Sequence, residues 1–169
     1  MHFEKVSYEE WEKAWNKVGN WLKTDLTLDA RQVYNSIKLP KQGTARSMGM
    51  DFFAPFGFSI YSGNSEIIPT GIRWVTNPID DNVGLMIVPR SGLGFKYGVR
   101  LENTVGIIDA DYCEADNEGH IMVKLHNPSN NTINVEAGKG FVQGIVTDFY
   151  ICEGAESDES RFGGFGSTG

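Results

Sequence analysis

A chain of 169 residues is long enough for one domain with a sizeable core, and at 40% hydrophobic and 12% aromatic residues it is not a disordered chain. Its formal net charge of −7 argues against wrapping nucleic acid or docking on anionic membranes. A small anionic ligand stays open, provided a metal ion and a few local cations offset the repulsion.

The N-terminal segment reads as helical. Ser7 and Glu10 stand at capping-box spacing, and Trp11, Trp15, Val18 and Leu22 recur on one face, which predicts an amphipathic helix over about residues 8–22. From Gln32 onward the pattern changes to short β runs. Val33 to Leu39 reads as a strand stopped by Pro40, and Ser47 to Ala54 as another ended by Pro55. Phe58 to Tyr61 and Glu66 to Ile68 flank a Ser62-Gly63-Asn64 turn, followed by Ile72 to Val75 and the near-continuous apolar Val83 to Val88. Ile121 to Leu125 and Thr132 to Val135 alternate on either side of Asn127-Pro128-Ser129-Asn130, and Phe141 to Ile151 closes the set. Twenty glycines and six prolines scattered among runs this short and evenly spaced predict an all-β, jelly-roll-like domain. The expected organisation is an N-terminal helical extension over 1–30, a β domain over 31–152, and a polar, mobile arm over 153–169.

Residues 103–112, Asn-Thr-Val-Gly-Ile-Ile-Asp-Ala-Asp-Tyr, stand out chemically. Val105, Ile107 and Ile108 are strand formers, and Gly106 permits close approach by something small and flat. On a continuing strand, Asp109 and Asp111 would project from the same side, where like charges repel. A strand needs no such pair for its own sake, so the stretch reads as a site. The arm ends in Arg161-Phe162-Gly163-Gly164-Phe165-Gly166-Ser167-Thr168-Gly169, where unencumbered backbone amides and two hydroxyls can wrap phosphate oxygens.

Several motifs are excluded. The literal G-x-G-x-x-G over Gly164 to Gly169 has no strand-to-helix context at a chain end. Asp109-x-Asp111 opens like a calcium loop, but Glu114 stands where glycine is required and His120 where glutamate is. His2, His120 and His126 lack zinc-site spacing. Cys113 and Cys152 make neither a CxxC pair nor a disulfide framework and read as reduced thiols. No apolar run is long enough for a membrane span and no secretory leader is visible, so the expected location is cytoplasmic.

Five short segments, in order, resemble the motifs of the trimeric dUTPase family, the deoxyuridine triphosphate nucleotidohydrolases. They are Gly49-Met50-Asp51; Pro89-Arg90-Ser91-Gly92-Leu93-Gly94; Asn103 through Tyr112; Gly138-Lys139-Gly140-Phe141-Val142-Gln143; and Arg161 through Gly169. The resemblance covers about residues 32–169 and leaves the N-terminal helix outside. It departs from the family pattern in three places. Cys113 to Gly119 makes a longer loop than the usual turn after the tyrosine, Phe141-Val142 stands where Ile-Ala is common, and Arg161 lies one residue nearer Phe165 than usual.

The resemblance implies a jelly-roll subunit in a homotrimer, with sites at subunit boundaries completed by an arm from another subunit. The implied reaction is hydrolysis of dUTP to dUMP and pyrophosphate. Asp109 would act as the base that orients and deprotonates water, with Asp51, Gln143 and Arg161 as further catalytic groups. Magnesium would be held mainly by substrate phosphates and water, with no protein side chain as direct ligand and Asp51 acting through bound water. Arg90, Ser91 and Gly92 would receive phosphates. Asn103, Gly106 and Ile108 would face the uracil, Tyr112 the deoxyribose, Phe165 would stack on the base, and Gly166, Ser167 and Thr168 would clasp the terminal phosphates. Two alternatives are a dCTP deaminase of the same fold, and a regulatory binding protein built on this scaffold that uses the Trp11/Trp15 helix.

Overall fold

The computed structural model describes residues 1–77, 82–155, 157 and 163. The chain opens with strand β1 (His2–Lys5) and turns at Ser7 into helix α1 (Tyr8–Lys17). The Ser7 hydroxyl accepts the Glu10 amide at 3.2 Å, satisfying one of the donors that a helix N-terminus leaves open. The helix is shorter than its periodicity predicts, because the backbone at Val18 is already extended. Trp11, Trp15 and Leu22 are nonetheless buried, with Leu22 reaching the core from the connector.

Residues 33–39, read above as a strand, begin instead within helix α2 (Ala30–Ser36). Local chemistry outweighs the β-branched Val33 and Ile37. Asp29 accepts the Gln32 amide at 2.8 Å, and the Gln32 side chain reaches back to the Asp29 amide, a complete capping box. Val33 and Ile37, four residues apart, are then both buried on one side.

The strands that follow are β2 (Lys41–Gln42), β3 (Met50–Phe53), β4 (Phe58–Ile60), β5 (Ser65–Pro69), β6 (Ile72–Val75) and β7 (Val83–Pro89). Helix α3 (Ser91–Tyr97) leads to β8 (Arg100–Leu101), β9 (Gly106–Ile108) and a 3-10 helix over Ala110–Glu114. The described chain closes with β10 (Met122–His126), β11 (Ile133–Val135) and β12 (Gly140–Asp148). All named pairings are antiparallel. The largest sheet runs β2-β3-β12-β7-β9; smaller ones are β5-β10-β8, β11-β4 and β1-β6. Among the described residues no helix is long and apolar enough to cross a membrane.

The core joins the N-terminal segment to the β domain. β1 pairs along β6, from His2 opposite Val75 to Lys5 opposite Ile72. Trp15 meets Phe56 edge-on at 5.2 Å between ring centres, and Phe58 meets Phe141 at 5.6 Å. Trp11 is fully buried and donates its indole N–H to the Ala30 carbonyl at 2.8 Å, tying α1 to the start of α2. Trp11→Ala is therefore expected to cost about 3–5 kcal/mol of stability, the loss of a large buried aromatic with its cavity. Urea unfolding followed by circular dichroism reads that loss directly.

Candidate active site

The expected site residues fall into two groups. The first is built around the tight turn between β8 and β9, which pair with β10 and β7 respectively. At its tip Thr104 adopts φ 69°, a left-handed conformation that a β-branched residue takes only under constraint. Two bonds supply the constraint: the Thr104 amide donates to the Leu101 carbonyl at 3.0 Å and the Val105 amide to the Asn103 carbonyl at 2.8 Å. The tip brings Asn103 to a cavity of about 520 Å³. Ile87, Leu101, Ile121 and Val123 form its apolar walls, and Gly106, Ile108, Asp109 and Tyr112 line it with Asn103. A Cβ on Gly106 would come within 3.2 Å of Ile87 Cβ and 3.3 Å of Leu101 Cδ2, so glycine is what lets β9 lie this close to β7.

The strand does not continue through Tyr112 as its apolar run suggests. It ends at Ile108, Asp109 occupies the N-cap position with extended backbone, and Ala110–Glu114 winds as 3-10 helix. Asp109 and Asp111 are therefore not alternate residues of one strand. The turn sets Asp109 at the cavity and carries Tyr112 back to its wall, with the Tyr112 amide donating to the Asp109 carbonyl at 3.1 Å.

Tyr112 is buried and its hydroxyl is engaged twice. It donates to the His120 carbonyl at 3.1 Å and accepts from Asn117 Nδ2 at 2.8 Å. The long loop after it is tied down: Arg73 Nη2 donates to the Cys113 carbonyl at 2.8 Å, and Glu118 takes both the Ser7 amide and the Ser7 hydroxyl. Gly119, at φ 73°, passes so close to Tyr112 that a Cβ there would lie 2.7 Å from the Tyr112 carbonyl oxygen. Asn117, His120 and the cavity-lining Glu102 and Lys124 were not among the expected site residues. For Asn117 a signal existed, since Asn-Glu-Gly is a side-chain-capped turn in the making.

His120 is fully buried, and burial pushes its imidazole down from the usual 6.5 to about 4 against the upward pull of Glu118. Its Nε2 accepts the Gly71 amide at 2.9 Å, which places the ring proton on Nδ1, 3.5 Å from Glu10 Oε1. Because the folded state resists protonation here, the unfolded chain binds the extra proton as pH falls below 6.5. Stability is thus expected to drop progressively from pH 6.5 toward 4, by on the order of 3 kcal/mol for this group when complete. Glu10, whose carboxyl burial raises, works in the opposite sense and offsets part of the loss. Urea midpoints across that range test it, and the slope should flatten in His120→Gln.

The second group lies on the large sheet. Asp51 on β3 stands opposite Gln143 on β12, which in turn stands opposite Val88 on β7. Arg90, immediately after β7, donates from Nε to Asp51 Oδ1 at 3.0 Å. Two glycines clear the space. A Cβ on Gly49 would fall 2.3 Å from Gln143 Oε1, and one on Gly140 would fall 2.9 Å from Arg90 Cδ and Nη1. Ser91 and Gly92 open helix α3 beside Arg90, and a Cβ on Gly92 would meet nothing within 4 Å, so packing within the chain does not require glycine there.

The two groups do not share a face. Gln143 and Val88 alternate with Gly144 and Ile87, and it is Ile87 that pairs with Gly106 and lines the cavity. Asp51 and Gln143 accordingly project from the face opposite Ile87, Gly106 and Ile108, the face to which only Ile107 of the cavity-lining β9 residues belongs. β3 lies three strand spacings from β9, about 14 Å across the ladder. Arg161, Phe165, Gly166, Ser167 and Thr168 fall outside the described residues.

Known proteins carry the same pattern. The sequence model of the dUTPase family matches residues 35–169. The deoxyuridine 5′-triphosphate nucleotidohydrolase of Haemophilus influenzae is 35% identical over 155 residues, covering 87% of this chain and 97% of that protein. The corresponding protein of Lactococcus lactis is 37% identical over 136 residues, covering 79% and 89%. Among solved structures, the dUTPase of Streptococcus mutans superposes with a TM-score of 0.66 at 28% identity, over 91% of this chain and all of that one. With most of its length matched by the family model and its fold and motif order in agreement, the chain belongs to the dUTPase family.

Proposed function

We propose that this chain hydrolyses dUTP to dUMP and pyrophosphate, with the β9 cavity receiving the nucleoside. The observation that carries this reading is the convergence of Asn103, Gly106, Ile108, Asp109 and Tyr112 on one cavity large enough for a pyrimidine nucleoside. Asn103 and the backbone of β9 present hydrogen-bonding groups to a base edge, which lets the site reject a base with the wrong donors and acceptors. Tyr112 packs against the deoxyribose and leaves no room for a 2′-hydroxyl. Asp109 orients a water molecule and takes its proton as the water oxygen bonds to the α-phosphorus; the bond to the bridging oxygen breaks and pyrophosphate leaves. Arg90, Ser91 and Gly92 receive the phosphate oxygens, with Gln143 beside them. Magnesium, when bound, would neutralise the phosphate charge, and Asp51, beside the Arg90 guanidinium, would hold it through water.

We further propose that the working site is shared between copies of the chain, as a homotrimer. What supports this is sidedness: the nucleoside cavity and the Asp51–Arg90–Gln143 cluster of one chain lie on opposite faces of a sheet, so one triphosphate does not reach both. A second copy presenting its cluster to the first copy's cavity completes the site, and Arg161, Phe165, Gly166, Ser167 and Thr168 would close over it.

Pyrophosphate release measured in parallel on dUTP, dCTP, dTTP and UTP tests the assignment. Release from dUTP with the other three near background is expected. Ammonia from dCTP would overturn it in favour of deamination.

A further inference from the structure

The loop between the 3-10 helix and β10 is where this chain departs from its family's short turn, and α1 lies outside the resemblance altogether. The structure joins the two directly behind Tyr112. We propose that Asn117 is a positioning residue that fixes the Tyr112 ring for discrimination between deoxyribose and ribose, and that the first turn of α1 holds Asn117 in place. The proposal rests on the sugar-contacting role of Tyr112 given above.

The Tyr112 hydroxyl donates its one proton to the His120 carbonyl and accepts from Asn117 Nδ2. The orientation of the Asn117 amide is itself determined, because its Oδ1 accepts the Gly119 amide at 3.2 Å and so turns the NH₂ group toward the phenol. The ring therefore has a donor behind it and an acceptor beside it, rather than a tip free in solvent.

What anchors the loop is α1. Glu118, next to Asn117, adopts φ 58° and takes two donors from the helix cap: the Ser7 amide at 2.7 Å and the Ser7 hydroxyl at 2.6 Å. Further along the loop, buried His120 is held through Nε2 by the Gly71 amide, with Nδ1 facing Glu10 of the same helix turn. Asn117 is thus followed directly by a residue that the helix cap fixes. Loops carrying their own weight are mobile, and a displacement of about 1 Å at a substrate-facing group can cost up to a hundredfold in rate. A brace from a packed helix removes that freedom at the one side chain that must sit against the 2′ carbon.

Steady-state kinetics on the full chain tests this with Asn117→Asp, Tyr112→Phe and the double variant, on dUTP and UTP. The aspartate keeps the acceptor for the Gly119 amide but loses the donor to Tyr112, so loop shape and ring positioning are separated. Asn117→Asp is expected to narrow the preference for dUTP over UTP about tenfold, with the change in KM larger than that in kcat. Tyr112→Phe should narrow it comparably, and the double variant should add little to either single one. Ser7→Ala should narrow it in the same direction by a smaller factor. A wild-type preference retained in Asn117→Asp while lost in Tyr112→Ala would overturn the proposal and leave the role of Tyr112 standing. Fully additive single variants would also overturn it. A preference unmoved in Tyr112→Ala would instead remove the sugar-contacting reading, and the proposal with it.

Discussion

Asp109→Asn is expected to lower kcat on dUTP by about 10²–10⁴-fold while leaving nucleotide binding nearly unchanged. The substitution is isosteric and keeps a hydrogen-bonding group at the cavity, so water can still be bound there. What it removes is the capacity to accept the proton that water must lose as its oxygen bonds to phosphorus. In the proposed site, ground-state contacts to base and sugar would come from Asn103, the β9 backbone and Tyr112, none of which depends on that charge. A fall in kcat with an unchanged dissociation constant for a non-hydrolysable dUTP analogue is therefore the expected signature. Turnover within tenfold of wild type would place the base elsewhere.

The second large effect is one of recovery. Arg90→Ala is expected to abolish most activity, since it removes the proposed phosphate donor and strips Asp51 of its partner 3.0 Å away. Asp109→Asn and Arg90→Ala damage opposite faces of the same sheet. If each site draws its cavity from one subunit and its phosphate cluster from another, co-assembling the two variants should leave one of the three sites of every mixed trimer, about one third, with both halves intact. Differently tagged chains, co-expressed and purified through both tags, allow the measurement. Activity no higher than the sum of the parents would confine the site to single chains.

Sequence made the strands and the motif residues legible to different degrees. Ile72–Val75 is found as expected, and Val83 to Val88 is extended by one residue, because apolar runs bounded by glycine and proline have few other solutions. Val33 to Leu39 misled because its β-branched residues outvoted a capping box that begins four positions earlier, at Asp29. The site residues were readable as a set from the ordered motifs, but not their sidedness. That depends on the register of Gln143 against Val88 and of Gly106 against Ile87, which no local pattern encodes. The brace on the Tyr112 loop was out of reach for a plainer reason: Ser7 and Glu118 are 111 residues apart.

The placement of the four tryptophans has a spectroscopic consequence. Trp11, Trp15 and Trp74 are in the interior, Trp21 is 63% exposed with its indole N–H on Glu66, and none lines the nucleoside cavity. Intrinsic emission should therefore stay nearly constant when nucleotide is titrated in. The same emission should shift to the red as the N-terminal segment peels from the rings around Phe56, giving an optical gauge of helix docking that substrate does not disturb.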